Sequence, residues 1–146
     1  MERTLIIFKP EAVERKVCWK LLKRWEQKGY TIIATELKIG KRKDFENHYI
    51  EHKDKTFYNN LINRMIRGPS MFLVIEGQDV ISWSRKIVGN TDPHMADVGT
   101  IRGDYGITKE YNLVHAYDSI SNSYLEINIW FPNSNFLDIS PAKRLI

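Results

Sequence analysis

The sequence predicts an α/β (α+β) domain: a four-stranded antiparallel sheet with helices on one face. Two observations lead to this class. Short runs rich in β-branched residues alternate with longer stretches whose apolar residues recur every three or four positions, the spacing of an amphipathic helix. Glycine or proline separates most of these stretches, as expected at turns. The 146 residues suffice for one core, so we expect a single domain over residues 1–146.

The N-terminal elements follow from these patterns. Residues 4–8 predict a strand, which Lys9-Pro10 ends because proline donates no backbone hydrogen bond. Apolar residues four positions apart predict one continuous helix over residues 11–28, with Gly29 as its stop. Threonine and isoleucine favour a second strand over residues 30–39.

The middle of the chain adds three helices and a strand. Asp44 is a suitable N-cap for a helix over 44–51, and apolar residues at helical spacing predict another over 56–66. An uninterrupted apolar run over 71–75 predicts a buried central strand. Apolar residues at helical spacing after this strand predict a helix over residues 79–88.

A long loop over residues 90–111 precedes the last strand and the last helix. A loop of this length inside a compact domain is usually functional or disordered. Residues 112–117 predict a strand around His115, and a helix follows over 119–129. The resulting order, β-α-β-α-α-β-α-loop-β-α, resembles the ferredoxin-like βαββαβ plan, here with a long active-site loop.

Composition limits the class of protein. The net charge of +4 and the pI of about 9.1 favour anionic partners such as nucleotides, but do not choose among them. The single cysteine, Cys18, has no partner for an internal disulfide. No apolar run approaches a membrane span, and the N-terminus lacks the pattern of a signal peptide. We therefore expect a cytoplasmic protein.

The loop and the last strand point to phosphate chemistry at His115. Arg102 can donate two parallel hydrogen bonds to a phosphate, and glycines around it let the backbone approach an anion. Glu126 follows His115 by eleven residues, where its carboxylate can hold one ring nitrogen and leave the other to attack phosphorus. A lone histidine among apolar residues is more often structural, so this hypothesis depends on the surrounding set.

A second motif suggests a different chemistry. His48-Tyr49-Ile50-Glu51-His52 spells the H-x-x-E-H zinc motif of one protease group. On one helix, His48 and His52 share a face and can bind zinc. A catalytic site needs a third protein ligand, and no downstream carboxylate stands out, so we regard the match as accidental.

Four segments resemble the nucleoside diphosphate kinase family in order and spacing. They are Lys9-Pro10-Glu11, Gly89-Asn90-Thr91-Asp92-Pro93, Gly99-Thr100-Ile101-Arg102-Gly103-Asp104 and Asn112-Leu113-Val114-His115-Ala116. The resemblance extends from Glu2 to about Phe131. It implies a ping-pong enzyme that moves the γ-phosphoryl group of a nucleoside triphosphate onto His115 and then onto a nucleoside diphosphate.

The resemblance also implies roles for the surrounding residues. Glu126, Lys9 and Tyr49 accompany His115 in catalysis. The nucleotide-binding residues it implies are Lys9, Phe57, Leu61, Arg85, Thr91, Arg102 and Asn112. Mg²⁺ is expected to arrive with the nucleotide near Asp118, with no direct protein ligand. A homo-oligomer, hexamer or tetramer, is implied as well, and stacking on Phe57 predicts tolerance of different bases.

The chain departs from the family pattern where Tyr117 replaces a serine and Lys109 replaces an apolar residue beside the base. Tyr117 keeps open the alternative of a weakly active or silent nucleotide-binding homologue. A role in nucleic-acid binding is motivated only by the basic pI, and we consider nucleic acid an improbable partner.

Overall fold

The computed structural model describes residues 1–117, 120–132 and 136. In chain order its helices and strands are β1 (Glu2–Phe8), α1 (Pro10–Glu14), α2 (Cys18–Gln27), β2 (Thr31–Lys38), α3 (Arg42–His48), α4 (Tyr58–Ile66), β3 (Ser70–Gly77), α5 (Val80–Val88), α6 (Ile101–Tyr105), β4 (Val114–Ala116) and α7 (Ile120–Trp130). Short 3₁₀ turns occupy Ile50–His52 and Pro93–Met95. Within the described part, every helix is too short or too polar to serve as a membrane span.

The four strands form one antiparallel sheet in the order β2-β3-β1-β4. Strands β1 and β3 lie at its centre, and the apolar run over residues 71–75 predicted this position for β3. Ile7 of β1 lies opposite Phe72 on one side and His115 on the other. The four-stranded antiparallel sheet of the predicted fold class is therefore confirmed, and His115 lies on an edge strand beside the first strand.

The placement of all helices on one face is wrong. Ile6 and Phe8 belong to one apolar cluster with α1, α2 and α5, whereas Leu5 and Ile7 belong to another with α3, α4 and α7. Successive side chains of a strand point to opposite faces, so a continuous apolar strand exposes apolar surface on both. Helices must then cover both faces of the sheet.

Two helix boundaries also differ from the prediction. The single helix expected over 11–28 is divided between α1 and α2, because Lys16 adopts a left-handed backbone with φ of 59°. Asp44 lies in the first turn of α3, whose N-cap is Lys41. The long loop over 90–111 is partly helical, since α6 and a 3₁₀ turn lie within it. Apolar periodicity could not reveal these points, because the alternation of apolar and polar residues continues across the break.

Candidate active site

The connection into β4 brings the end of β1 against the long loop. The Lys9 backbone N–H donates to the Leu113 carbonyl at 2.8 Å, and Lys9 Nζ donates to Asn112 Oδ1 at 2.8 Å. Asn112 Nδ2 in turn donates to the Thr91 carbonyl at 3.2 Å. Leu113 has φ of 73°, a left-handed conformation that is rare for leucine and typical of functional sites. These contacts hold the Lys9 ammonium at the end of the sheet.

Arg102 is fixed by backbone carbonyls rather than by an acid. Nε donates to Asn112 O at 3.3 Å, Nη1 to Gly89 O at 3.1 Å and Nη2 to Val114 O at 2.6 Å. A guanidinium carries five N–H groups, so one on each terminal nitrogen has no partner within the described residues. Arg102 therefore keeps a pair of donors for an anion, although it is only 8% exposed.

His115 is held through its Nε2 atom. This nitrogen lies 3.2 Å and 3.1 Å from the two carboxylate oxygens of Glu126. A carboxylate accepts hydrogen bonds, so it favours the tautomer of His115 that carries hydrogen on Nε2. Nδ1 then keeps its lone pair, which is the arrangement a nucleophilic imidazole needs.

His48 supports the same carboxylate. The Trp130 indole can only donate, and its Nε1 lies 3.1 Å from His48 Nδ1, which must accept. The neutral His48 ring therefore carries its hydrogen on Nε2, which lies 3.4 Å from Glu126 Oε2. His115 Nε2 lies 3.1 Å from His48 Nε2; because both nitrogens carry hydrogen in this assignment, the two rings do not hydrogen-bond to each other, and both direct an N–H towards Glu126.

Burial and neighbouring cations shift the ionisation of this cluster. Burial, reinforced by Lys9, Arg102 and Arg85, lowers the pKa of His115 to about 3. Burial also holds the pKa of His48 well below its ordinary value. Both rings are neutral at pH 7, and a neutral imidazole is the form that can attack phosphorus.

Burial also lowers the pKa values of two cations that line the cavity. Burial lowers the pKa of Lys9 to about 8, although Glu11 opposes the shift, and it lowers that of Arg102 to about 10, with Arg85 adding to the effect. Gathering positive charges in a site of low dielectric disfavours the charged forms. A bound polyanion would remove this penalty, so the electrostatics favour phosphates as the ligand.

A cavity of about 610 Å³ lies in front of His115. The predicted residues that line it are Lys9, Tyr49, Phe57, Leu61, Arg85, Thr91, Arg102, Asn112 and His115. Glu126 lies behind the ring, and Asp118 falls outside the described residues. Phe57 is 44% exposed, so its ring offers an open face for stacking, and Lys109 lines the same cavity. The structure thus brings these predicted residues to one place.

Sequence reasoning missed His48 and Arg64. His48 was considered only as a zinc ligand, although it is buried against His115 and Glu126. Arg64 lines the cavity from α4 and carries no motif. Its position three residues after Leu61, on the helix that Phe57 precedes, is the only signal that could have indicated it.

The nitrogen and carboxylate atoms of His48, His115 and Glu126 all lie within 4.8 Å of one another, as in a metal site. They do not fit a metal ion in this hydrogen-bond arrangement. A metal on His48 Nε2 would require a hydrogen on Nδ1, which would then face the Trp130 N–H. The shared helix face proposed for His48 and His52 is also absent, because α3 ends at His48.

Comparisons with known proteins agree with the geometry. A family model described as nucleoside diphosphate kinase matches residues 2–136. Nucleoside diphosphate kinases from Methanosphaera stadtmanae and Thermosynechococcus vestitus are 44% and 41% identical to this chain, over 94% and 97% of it and 90% and 95% of their own lengths.

Solved structures give the same result for the fold. The crystal structure of the apo nucleoside diphosphate kinase from Encephalitozoon cuniculi matches with a TM-score of 0.94 at 35% identity, covering 100% of this chain and 99% of that one. A nucleoside diphosphate kinase family protein from Babesia bovis matches with a TM-score of 0.91 at 38% identity, over 94% and 93% of the two chains.

Proposed function

Because this chain belongs to the nucleoside diphosphate kinase family, and so transfers the γ-phosphoryl group of a nucleoside triphosphate to a nucleoside diphosphate, we propose that His115 carries that group between the two nucleotides. One observation supports this most strongly. His115 Nε2 is engaged by Glu126, which leaves Nδ1 as the nitrogen with a lone pair beside the cavity.

In the first half-reaction, Nδ1 attacks the γ-phosphorus. The new N–P bond forms as the bond from phosphorus to the bridging oxygen breaks, and the nucleoside diphosphate leaves. The ring becomes positively charged while its Nε2–H stays on Glu126, whose negative charge stabilises the imidazolium. In the second half-reaction, a terminal phosphate oxygen of the acceptor diphosphate attacks the same phosphorus. The new O–P bond forms as the N–P bond breaks, and the electron pair of the N–P bond returns to Nδ1 and restores the neutral ring.

Three cations lower the energy of the transferring group. Lys9, Arg85 and Arg102 line the cavity beside His115. Phosphoryl transfer depends mainly on positioning and on neutralising the oxygens of the transferring group, which fixed cations do without reorganisation. Tyr49, Thr91 and Asn112 complete the proposed phosphate and sugar contacts. Phe57 and Leu61 form the proposed apolar platform for the base.

Mg²⁺ fits this site only as a companion of the nucleotide. It prefers oxygen ligands and often binds through substrate phosphates, whereas Glu110 is the sole carboxylate among the described residues that line the cavity. When bound, Mg²⁺ would neutralise charge on the phosphate oxygens. The protein side chains bind and orient the rest of the nucleotide.

The broader organisation is also part of the proposal. The family match over 2–136 supports a single domain over 1–146. A homo-oligomer, tetramer or hexamer, is supported by Leu37 and Ile39, which are 57% and 63% exposed at and just beyond the end of the edge strand β2. A cytoplasmic location agrees with the single buried cysteine, Cys18.

The alternative of a silent homologue rests on Tyr117, whose ring lies edge-on to His115 at 5.6 Å. The comparisons give this alternative no support.

Radiolabelled ATP tests the assignment directly. Wild-type protein incubated with Mg²⁺ and γ-labelled ATP should form an acid-labile, alkali-stable phosphoprotein. His115→Gln should form none, whereas His94→Gln, which changes an exposed histidine, should be labelled like wild type. Failure of wild type to take up label, or equal labelling of His115→Gln, would rule out the proposed intermediate.

A further inference from the structure

Arg64 is a charged residue of the cavity that the resemblance does not assign. It lies on α4, is half-buried and lines the cavity with His115. Among the residues that the structure describes, its guanidinium has no hydrogen-bond or ion-pair partner. The neighbouring Arg67, by contrast, is paired with Glu14 at 3.0 Å and does not line the cavity.

The position of Arg64 along the helix places it towards the phosphate end. It follows the base platform, Phe57, by seven residues, which is about two turns or roughly 10 Å of helix. Phe57, Leu61 and Arg64 share the helix face that lines the cavity. A nucleotide whose base stacks on Phe57 would therefore extend its ribose and phosphates in the direction of Arg64.

The charges around Arg64 agree with this direction. Its positive charge adds to the effect of burial that lowers the pKa of Lys9, and it opposes the burial that raises the pKa values of Glu11 and Tyr49, so Arg64 lies near all three. Glu11 is the acid of this group, and its Oε1 is buried without a hydrogen-bond partner in the described part of the chain. A half-buried arginine beside Lys9, with no paired acid, gains from a bound anion.

We propose that Arg64 is a further phosphate-binding residue of the nucleotide site, and that it contacts the phosphate chain of both the triphosphate and the diphosphate. This rests on the nucleotide site described under the proposed function. Because the contact is with phosphate, it strengthens binding of every nucleotide and does not select a base. It adds a fourth cation to Lys9, Arg85 and Arg102.

Binding of a graded series of ligands tests this role. Calorimetry with adenosine, AMP and ADP compares wild type with Arg64→Met and with the matched control Arg67→Met, which removes the same charge from the end of the same helix. Loss of a charge-assisted phosphate contact should weaken ADP binding by about tenfold or more. In Arg64→Met the affinity for AMP should fall less than that for ADP, and the affinity for adenosine should fall by less than about twofold. Arg67→Met should bind all three ligands like wild type.

Base dependence gives the second readout. The affinities for GDP and CDP should fall in Arg64→Met by the same factor as the affinity for ADP. Equal losses for adenosine and ADP, a loss confined to one base, or no loss at all would overturn the proposal. Arg64→Lys keeps the charge and should recover part of the affinity, which guards against a folding defect in Arg64→Met.

The calorimetric test of Arg64 can fail or succeed independently of the labelling test of His115. Affinity for ADP does not require a phosphorylated histidine, so calorimetry can support Arg64 even if His115 takes up no label. Conversely, Arg64→Met should still form the phosphoenzyme at saturating ATP. A wild-type phosphoenzyme with unchanged ADP affinity in Arg64→Met would reject Arg64 alone.

Discussion

At the scale of single residues, two imidazoles share one carboxylate. His48 and His115 are both neutral and both lie against Glu126. Each is charged below pH 6.5 in an unfolded chain but not in the folded protein. The residues proposed to prepare His115 for catalysis therefore make the fold sensitive to acid.

The expected result is a loss of stability as the pH falls from about 6.5. The unfolded chain binds protons that the folded protein does not, which adds up to about 1.4 kcal/mol per pH unit for each histidine. Urea unfolding at pH 6.5 and at pH 5.5 measures the change in the free energy of unfolding. His115→Gln should lose about half of the pH dependence that His48 and His115 contribute together, whereas His94→Gln should match wild type. An identical pH dependence in His115→Gln and wild type would mean that His115 is not buried in its neutral form.

The residues of the cavity were predictable only where a motif or the family resemblance indicated them. Lys9, Arg102 and His115 stand in segments whose residue types and spacing indicate phosphate chemistry. His48 lies in a segment with a competing zinc motif, and its real neighbours are 67 and 78 positions away in the sequence (115 − 48 and 126 − 48). No local pattern can place a buried histidine against residues that distant.

At the scale of elements, the interruption between α1 and α2 is the clearest departure from the sequence pattern. Lys16 is exposed and adopts φ of 59°, where the Cβ of an L-residue is crowded. Apolar spacing favoured a continuous helix, but the chain must turn to bring Val17 and Cys18 into the core.

Lys16→Gly should therefore stabilise the protein, by about 1 kcal/mol, because glycine adopts the left-handed conformation without this crowding. The matched change Lys23→Gly, at an exposed position inside α2, should destabilise it by about 1 kcal/mol. Urea unfolding of the two variants measures both effects. A destabilised Lys16→Gly would contradict the assigned backbone conformation, and phosphotransfer should be unchanged in both.

The sheet shows what a sequence can and cannot indicate about layers. The continuous apolar run of β3 predicted a central strand correctly, and β1 has a similar run. The same runs also imply two buried faces, since alternate side chains point in opposite directions. Which helix covers which face depends on chain connections that apolar periodicity does not describe.

At the scale of the whole molecule, four cations from four separate segments meet beside one histidine. Lys9 follows β1, Arg64 lies on α4, Arg85 on α5 and Arg102 on α6, and all line the cavity that His115 faces. Burial and this convergence lower the pKa of Lys9 and of Arg102 in the free protein. The fixed positive charges also suit the cavity to the polyanion proposed to bind there.

The account depends on which nitrogen of His115 receives the phosphoryl group. Phosphoenzyme prepared with ¹⁵N-labelled histidine and ATP can be examined by nitrogen and phosphorus NMR, in which the phosphorylated nitrogen shows coupling to phosphorus. We expect the coupling on Nδ1 of His115, with Nε2 still carrying hydrogen towards Glu126. Phosphorus bound to Nε2, or to another histidine, would contradict the assignment of Nε2 to Glu126 and with it the proposed mechanism.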